Sequence, residues 1–156
     1  MGVEFHDFRV QIKGAIDSSI DGVLAECAGE IISQTKRNSR VGSAGAKTKN
    51  SFQYKIDTAS HTAYMGSPEE NAIWEEMGTG EYALKNNGRK GAWYVPVDSV
   101  HGYKKPSFNG KVVIVHRNGK AFYKTNGKKP SRAFWNAYES LKNAVVKRIQ
   151  DALKGL

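Results

Sequence analysis

Four glutamates in one short stretch are the residues of this chain whose type and spacing come nearest to reaction chemistry. They are Glu69, Glu70, Glu75 and Glu76. Paired carboxylates serve as general acid and base, or hold a divalent cation. The same stretch has the spacing of a short helix, and carboxylates commonly cover the solvated face of a helix. We interpret the four glutamates as such a face and keep a small metal-dependent hydrolase or nuclease as an alternative.

The other candidates for catalysis or metal binding are scattered along the sequence. The four histidines lie on different predicted elements, without the His, Cys and carboxylate spacings of a zinc site: His6, His61, His101 and His116. Cys27, the single cysteine, has no histidine near it in sequence to activate it, and it excludes an intramolecular disulfide. Gly78-Thr79-Gly80 looks like part of a phosphate-binding loop but closes a helix instead of opening one. The sequence therefore predicts no catalytic residue, no metal, no cofactor and no enzymatic activity.

A short helix over 67–78 has both of its ends marked in the sequence. Ser67 is a helix cap, Pro68 suits the first helical position, and Glu70 completes a capping box. Gly78 supplies the left-handed residue that stops a helix. Between these ends, Ile73, Trp74 and Met77 are spaced to share one apolar face, so we expect an amphipathic helix lying on a sheet.

The length of 156 residues fits one domain, 1–156, and the net charge of +9 is unevenly spread. Residues 85–132 contain 12 Lys and Arg against Asp98 alone, a net charge of +11. The rest has 12 basic and 14 acidic residues, a net charge of −2. Such asymmetry is typical of contact with nucleic acid or another polyanion, and equally of a basic surface with no partner. Every apolar run is too short to span a membrane, so no membrane association is expected.

The N-terminal part predicts a long amphipathic helix over 5–36, about 50 Å long. Its apolar residues recur at steps of three and four: Phe5, Phe8, Ile12, Ile16, Ile20, Val23, Cys27 and Ile31. Gly14, Gly22 and Gly29 weaken this helix unless close packing requires them. The following residues, 38–50, are rich in Gly, Ser and Lys without periodicity and are interpreted as a flexible loop.

The remainder predicts strands and a final helix. Alternation of Phe52, Tyr54 and Ile56 indicates a strand within a hairpin over 51–66. Further strands follow over 93–124, where Pro96 demotes the first to an edge and Asn118-Gly119 is a preferred hairpin turn. The C-terminal helix is predicted over 131–154. The fold class is α+β, with an antiparallel sheet packed by a long N-terminal helix, a short central helix and a C-terminal helix.

One segment carries a resemblance to a known family. Residues 72–80 read Ala72-Ile73-Trp74-Glu75-Glu76-Met77-Gly78-Thr79-Gly80. This is similar to the signature of the small neck or tail-component (tail-completion, head-tail joining) proteins of long-tailed siphophages and related prophages, roughly Tyr-Ala-x-x-x-Glu-Phe-Gly-Thr-Gly. The motif residues carried over are Ala72, Trp74, Glu76, Met77, Gly78, Thr79 and Gly80. Three other segments follow in the family's order, namely the polar segment and strand 48–56, the basic loop 87–91 and the closing segment 127–134.

The resemblance implies a non-enzymatic virion protein of the head-tail junction, made in the host cytoplasm. Family members are expected to form rings, commonly sixfold, around the DNA path and to contact adjoining neck and tail proteins. Candidate contacts with DNA in the lumen or with protein partners are Lys85, Arg89, Lys90, Lys104, Lys105, Lys128 and Lys129. The alternative is a free nucleic-acid-binding module whose basic loops act with aromatics such as Tyr103 and Phe108.

Overall fold

The computed structural model describes residues 10–11, 18–39, 43–100 and 105–154. The fold is α+β, with two three-stranded antiparallel sheets, and the chain divides into two compact units. Unit 1 consists of residues 1–39, 49–69 and 133–156, and unit 2 of residues 40–48 and 70–132. No helix of the described residues is both long and apolar enough to cross a membrane.

Unit 1 joins two long helices to the first sheet. Its elements are β1 (Val10–Gln11), α1 (Ser18–Asn38), β2 (Gln53–Asp57), β3 (Thr62–Gly66) and α4 (Ala133–Lys154). The strand order is β1-β3-β2, so β3 is central, and both α4 and the β2–β3 hairpin pack on α1.

The core of unit 1 lies along the inner face of α1. Ile20, Leu24 and Ile31 are no more than 2% exposed, at the spacing of one helix face. Phe134 of α4 is likewise buried. At the rim, the guanidinium of Arg148 on α4 donates to the carboxylate of Glu30 on α1 at 2.5 Å. Burial of apolar surface between these helices is therefore what stabilises unit 1.

Unit 2 contains the second sheet and the short central helix. Its elements are α3 (Glu70–Met77), β4 (Trp93–Pro96), β5 (Val113–Arg117) and β6 (Lys120–Thr125), with 3₁₀ turns at Gly80–Tyr82 and Val97–Ser99. The strand order is β4-β6-β5, all antiparallel. Helix α2 (Ser43–Ser51) crosses the boundary between the two units.

Several predicted elements are present where the sequence places them. The hairpin turn at Asn118-Gly119 has positive φ at both residues, +48° and +73°, as a type I′ turn requires. Strand β4, which contains Pro96, is an edge strand. The β2–β3 hairpin lies within the predicted range 51–66, and α4 begins two residues after its predicted start.

The prediction of one helix over 5–36 is wrong at its start. Val10–Gln11 is a strand that pairs with Thr62 and Ala63, and the helix begins at Ser18. Residues 5–9 and 12–17 lie outside the described residues. In the sequence, Phe8, Val10 and Ile12 alternate, a period that suits a strand as well as a helix. At 21 residues, α1 is about 30 Å long.

Close packing does not require the glycines of this helix that the structure describes. A Cβ on Gly22 would meet nothing within 4 Å. One on Gly29 would make ordinary contact with the Tyr54 ring at 3.6 Å. Gly14 lies outside the described residues.

The flexible loop predicted over 38–50 is instead largely helical. Helix α2 covers Ser43–Ser51, although its composition favours a loop, and residues 40–42 lie outside the described residues. Thr48 is 5% exposed, so this helix is packed. Tertiary packing commonly stabilises a short helix that local propensity alone would not form.

Two predictions for the central helix and one for strand β2 are corrected. Helix α3 begins at Glu70 and not at Ser67, although the Ser67 hydroxyl accepts a hydrogen bond from the Glu69 amide at 3.1 Å. The predicted apolar face is wrong because Trp74 is 47% exposed, and α3 buries Ala72 and Glu76 instead. In β2, Tyr54 is 43% exposed, so the predicted buried face is not continuous.

Candidate interaction site

The signature loop, residues 78–80, is built around two glycines that no other residue could replace without strain. The Gly78 amide donates to the Trp74 carbonyl at 3.0 Å and ends α3 with φ of +75°. A Cβ on Gly78 would lie 2.8 Å from the Tyr82 carbonyl oxygen, and one on Gly80 would lie 2.4 Å from that of Asn126. The glycines therefore permit close backbone contact as well as a helix stop.

The signature loop pairs with a second segment, the return loop, residues 126–130. The Thr79 amide donates to the Lys128 carbonyl at 2.9 Å, and the Lys128 amide donates to the Thr79 hydroxyl at 3.0 Å. Gly127 completes the contact, since a Cβ there would lie 2.0 Å from the Thr79 carbonyl oxygen. Thus the amides of Gly78 and Thr79, in the motif that looks like part of a phosphate-binding loop, are used within the protein.

Asn126 is the buried centre of a polar network beside this contact. It is 2% exposed. Its Nδ2 donates to Glu81 Oε2 and Asn109 Oδ1, each at 2.9 Å, and lies 3.3 Å from the Tyr82 hydroxyl. Its Oδ1 accepts from the Asn109 amide at 3.3 Å. The sequence analysis did not single out Asn126, because its partners are far away in the chain.

The signature glutamates are not a freely solvated face. Glu75 forms an ion pair with Lys128, and its carbonyl accepts from the Ser131 amide at 2.7 Å. Glu76 is only 9% exposed. The prediction of a solvated face is wrong for these two residues, because α3 lies against the return loop and its lysine. Among the described residues, no group of three or more His, Cys, Asp or Glu could hold a metal ion.

The predicted contact cations that the structure describes all lie in unit 2. Five have exposed side chains: Lys85, Arg89, Lys90, Lys105 and Lys129. Lys90 donates to Asn86 Oδ1 at 2.9 Å, and Lys128 is held by Glu75. Lys104 lies outside the described residues, as does Tyr103. Of the candidate contact residues, five are therefore exposed cations, and Lys128 is held by an ion pair within unit 2.

Among the residues of unit 2 that the structure describes, four cations stand over aromatic rings. The pairs and their distances to the ring centroid are Lys124 over Phe108 at 4.0 Å, Arg117 over Tyr94 at 4.2 Å, Arg89 over Trp93 at 5.5 Å, and Lys129 over Tyr82 at 5.8 Å. Each distance is within the range of a cation–π interaction. These aromatic rings therefore orient the four cationic side chains that lie over them.

A cleft of about 680 Å³ opens beside the edge strand of the second sheet. Trp93 and Thr125 face each other in the β4–β6 register, and Val95 follows on the same face. The remaining lining residues come from the signature loop, the return loop and the segment 105–110: Thr79, Tyr82, Lys105, Pro106, Ser107, Gly110, Gly127, Lys128 and Lys129. Because separate segments build the walls, no local sequence pattern indicates the cleft.

All of the net charge of the chain belongs to unit 2. Its residues include 14 Lys and Arg and 5 Asp and Glu, a net charge of +9. Unit 1 has 10 of each and is neutral. The cleft and the cation–π pairs therefore lie on the one strongly basic part of the molecule.

Comparisons with protein-family models, with curated proteins and with solved structures find no match for this chain.

Proposed function

We propose that this chain is a non-enzymatic structural protein of a phage or prophage-derived particle, which assembles as a ring at the head-tail junction and joins head to tail. The proposal rests on the resemblance of residues 72–80 to the tail-completion signature. In that role the chain would act in the virion, around the DNA path, and its partners would be further copies and the adjoining neck and tail proteins.

The observation that carries the proposal is the character of unit 2. Among the described residues of this unit, only Ala72 and Tyr123 are buried hydrophobics. Large apolar side chains of the same unit are exposed by 37 to 53%: Trp74, Leu84, Tyr94, Val112 and Ile114. A unit with few buried apolar residues and several exposed ones gains stability when other chains cover it. This is what a building block of an assembly requires.

The part played by the signature supports a structural function as well. Gly78, Thr79 and Gly80 hold the end of α3 against the return loop through backbone contacts. Glu75 fixes Lys128 of that loop. Residues that make the family motif thus specify the shape of unit 2, and a shape is what a ring subunit must present to its neighbours.

Deletion of the gene from the phage or prophage that encodes it tests the proposal. We expect non-infectious lysates in which electron micrographs show filled heads and complete tails that are not joined, with joining restored by the wild-type gene supplied in trans. Normal particles, or a defect in replication with no particles, would contradict the proposal.

A free nucleic-acid-binding module is the second candidate, favoured by the net charge of +9 on unit 2. The purified chain would then bind short DNA or RNA tightly, with an affinity that falls steeply as salt increases. The particle protein is expected to bind them weakly, because it acts as part of a ring. Titration of labelled oligonucleotides at two salt concentrations separates these candidates.

A further inference from the structure

The cleft of unit 2 has the size and composition of a binding site. Its volume of about 680 Å³ lies within the range of ligand sites in proteins. Trp93, Tyr82 and Val95 give it apolar walls, and the hydroxyls of Thr79 and Ser107 add hydrogen-bonding groups. A ligand with an apolar or aromatic group and polar surroundings would fit these walls.

The charge around the cleft selects an anion. Lys105, Lys128 and Lys129 line it, and its described lining contains no Asp or Glu. The sequence from 99 to 138 also contains no acidic residue. Lys128 is already neutralised by Glu75, so Lys105 and Lys129, both exposed, are the cations available to a ligand. The Glu75–Lys128 pair is an internal example of a carboxylate held at this wall.

The cleft suits carboxylates on a polypeptide better than a nucleic-acid strand. Lys129 stands over the Tyr82 ring and Arg89 over the Trp93 ring, so cations cover ring faces that stacked bases would need. Trp93 and Val95 of the lining belong to β4, an edge strand beside which an extended segment can lie.

We propose that this cleft binds an acidic, extended segment of a partner protein, with an aromatic or large apolar side chain against the apolar wall of Trp93, Tyr82 and Val95 and flanking carboxylates on Lys105 and Lys129. This inference rests on the proposed function only for the identity of the partner, which would be an adjoining protein of the particle. Binding itself is measured on the purified chain and does not depend on particle assembly.

The probe is a fluorescein-labelled peptide, blocked at both ends, with one phenylalanine between two runs of glutamate. Fluorescence polarisation at fixed ionic strength gives its Kd, and the indole N–H signal of Trp93 in an NMR titration reports contact with the cleft. We expect saturable binding that shifts the Trp93 signal. Replacing the phenylalanine of the peptide by alanine should weaken binding by about tenfold or more.

Two double variants separate the cleft from general attraction by charge. Lys105→Ala with Lys129→Ala removes the available cleft cations, and we expect about tenfold weaker binding. Lys111→Ala with Lys120→Ala removes the same charge from exposed positions outside the cleft lining, and binding should stay within about twofold. Both changes are on the surface, so circular dichroism should show a folded chain.

Three results would overturn the proposal. One is the absence of peptide binding, and another is an equal loss in both double variants, which would indicate attraction by net charge alone. The third is tighter binding of an oligodeoxythymidine of the same net charge, lost in the Lys105/Lys129 variant. None of these results affects the deletion test, so failure of the cleft proposal is distinguishable from failure of the proposed function.

Discussion

The two units of this protein are stabilised in different ways. Of the buried hydrophobic residues that the structure describes, fourteen belong to unit 1 and two to unit 2. Unit 1 is neutral, whereas unit 2 has the whole net charge of +9. Unit 1 therefore has an ordinary hydrophobic core, whereas many apolar and charged side chains of unit 2 are exposed.

Backbone contacts and buried polar groups replace a large core in unit 2. Gly80 and Gly127 let two loops approach to distances that a Cβ would forbid. Asn126 connects three other side chains while almost completely buried. Such a construction fixes a shape without using many apolar residues, and several large apolar side chains of the unit stay exposed. The difference shows that the hydrophobic core and the net charge belong to different parts of the chain.

The largest effect is expected in the core of unit 1. Leu24, 2% exposed on α1, should lose about 3–5 kcal/mol of unfolding free energy on replacement by alanine, because a cavity remains. Urea denaturation of the full chain measures this loss. Leu153→Ala is the control, since Leu153 is 43% exposed on α4 and its loss should be below about 1 kcal/mol. Equal losses would contradict the assignment of the core.

The glycine contact of unit 2 should respond nearly as strongly. Gly127→Ala places a Cβ 2.0 Å from the Thr79 carbonyl oxygen, and we expect about 2–4 kcal/mol of destabilisation. Hydrogen exchange should show the loss in the signature loop and not in α1. Gly22→Ala is the matched control, and it should raise stability by up to about 1 kcal/mol, since an exposed helical glycine has open space around it. If Gly127→Ala destabilised the chain no more than Gly22→Ala does, the close contact would be disproved.

The polar network should contribute less than the glycine contact. Asn126→Ala leaves Glu81 and Asn109 without their amide partner, and we expect about 2 kcal/mol of destabilisation in thermal unfolding. Asn143→Ala on the exposed face of α4 should change stability by less than about 0.5 kcal/mol. Equal stability of the Asn126→Ala and Asn143→Ala variants would show that the network contributes little.

The smallest effect concerns Cys27 in unit 1. Burial raises the pKa of its thiol, so the native state keeps the proton at a pH where the unfolded chain loses it. Its contribution to stability is complete below the pKa of the unfolded thiol and is lost as the pH rises through the native pKa. Stability should therefore fall more steeply at alkaline pH in the wild type than in Cys27→Ala.

Reactivity provides a second measurement on Cys27. A thiol-specific disulfide reagent should modify the native chain slowly and the unfolded chain quickly, because only the thiolate reacts and the side chain is 2% exposed. Equal rates in the two states would show that this part of the core is open.

Local signals predicted the elements that depend on local chemistry. Asn118-Gly119 indicated its hairpin turn, Pro96 indicated an edge strand, and Gly78 indicated the end of α3. The long-range contacts were not visible in the sequence. Strand β1 was taken for helix because its partners, Thr62 and Ala63, are some fifty residues away.

The same limit explains what was missed in the candidate site. Trp74 was expected to be buried and Glu76 exposed, because apolar side chains are usually buried and charged ones exposed. In the structure Trp74 is exposed and Glu76 is buried. The ion pair of Glu75 depends on a lysine in a distant loop. The cleft combines separate segments. Composition did identify the basic region, and the structure assigns that charge to unit 2.

The most direct test of the proposed assembly surface is lysine labelling of the free chain and of the chain in the phage particle proposed above, compared by mass spectrometry. Lys105 and Lys129 of unit 2 and Lys142 and Lys154 of unit 1 belong to one chain, so each particle contains its own control. The account predicts that Lys105 and Lys129 lose most of their reactivity on assembly, while Lys142 and Lys154 keep theirs. Protection of the unit 1 lysines with unit 2 unchanged would contradict it.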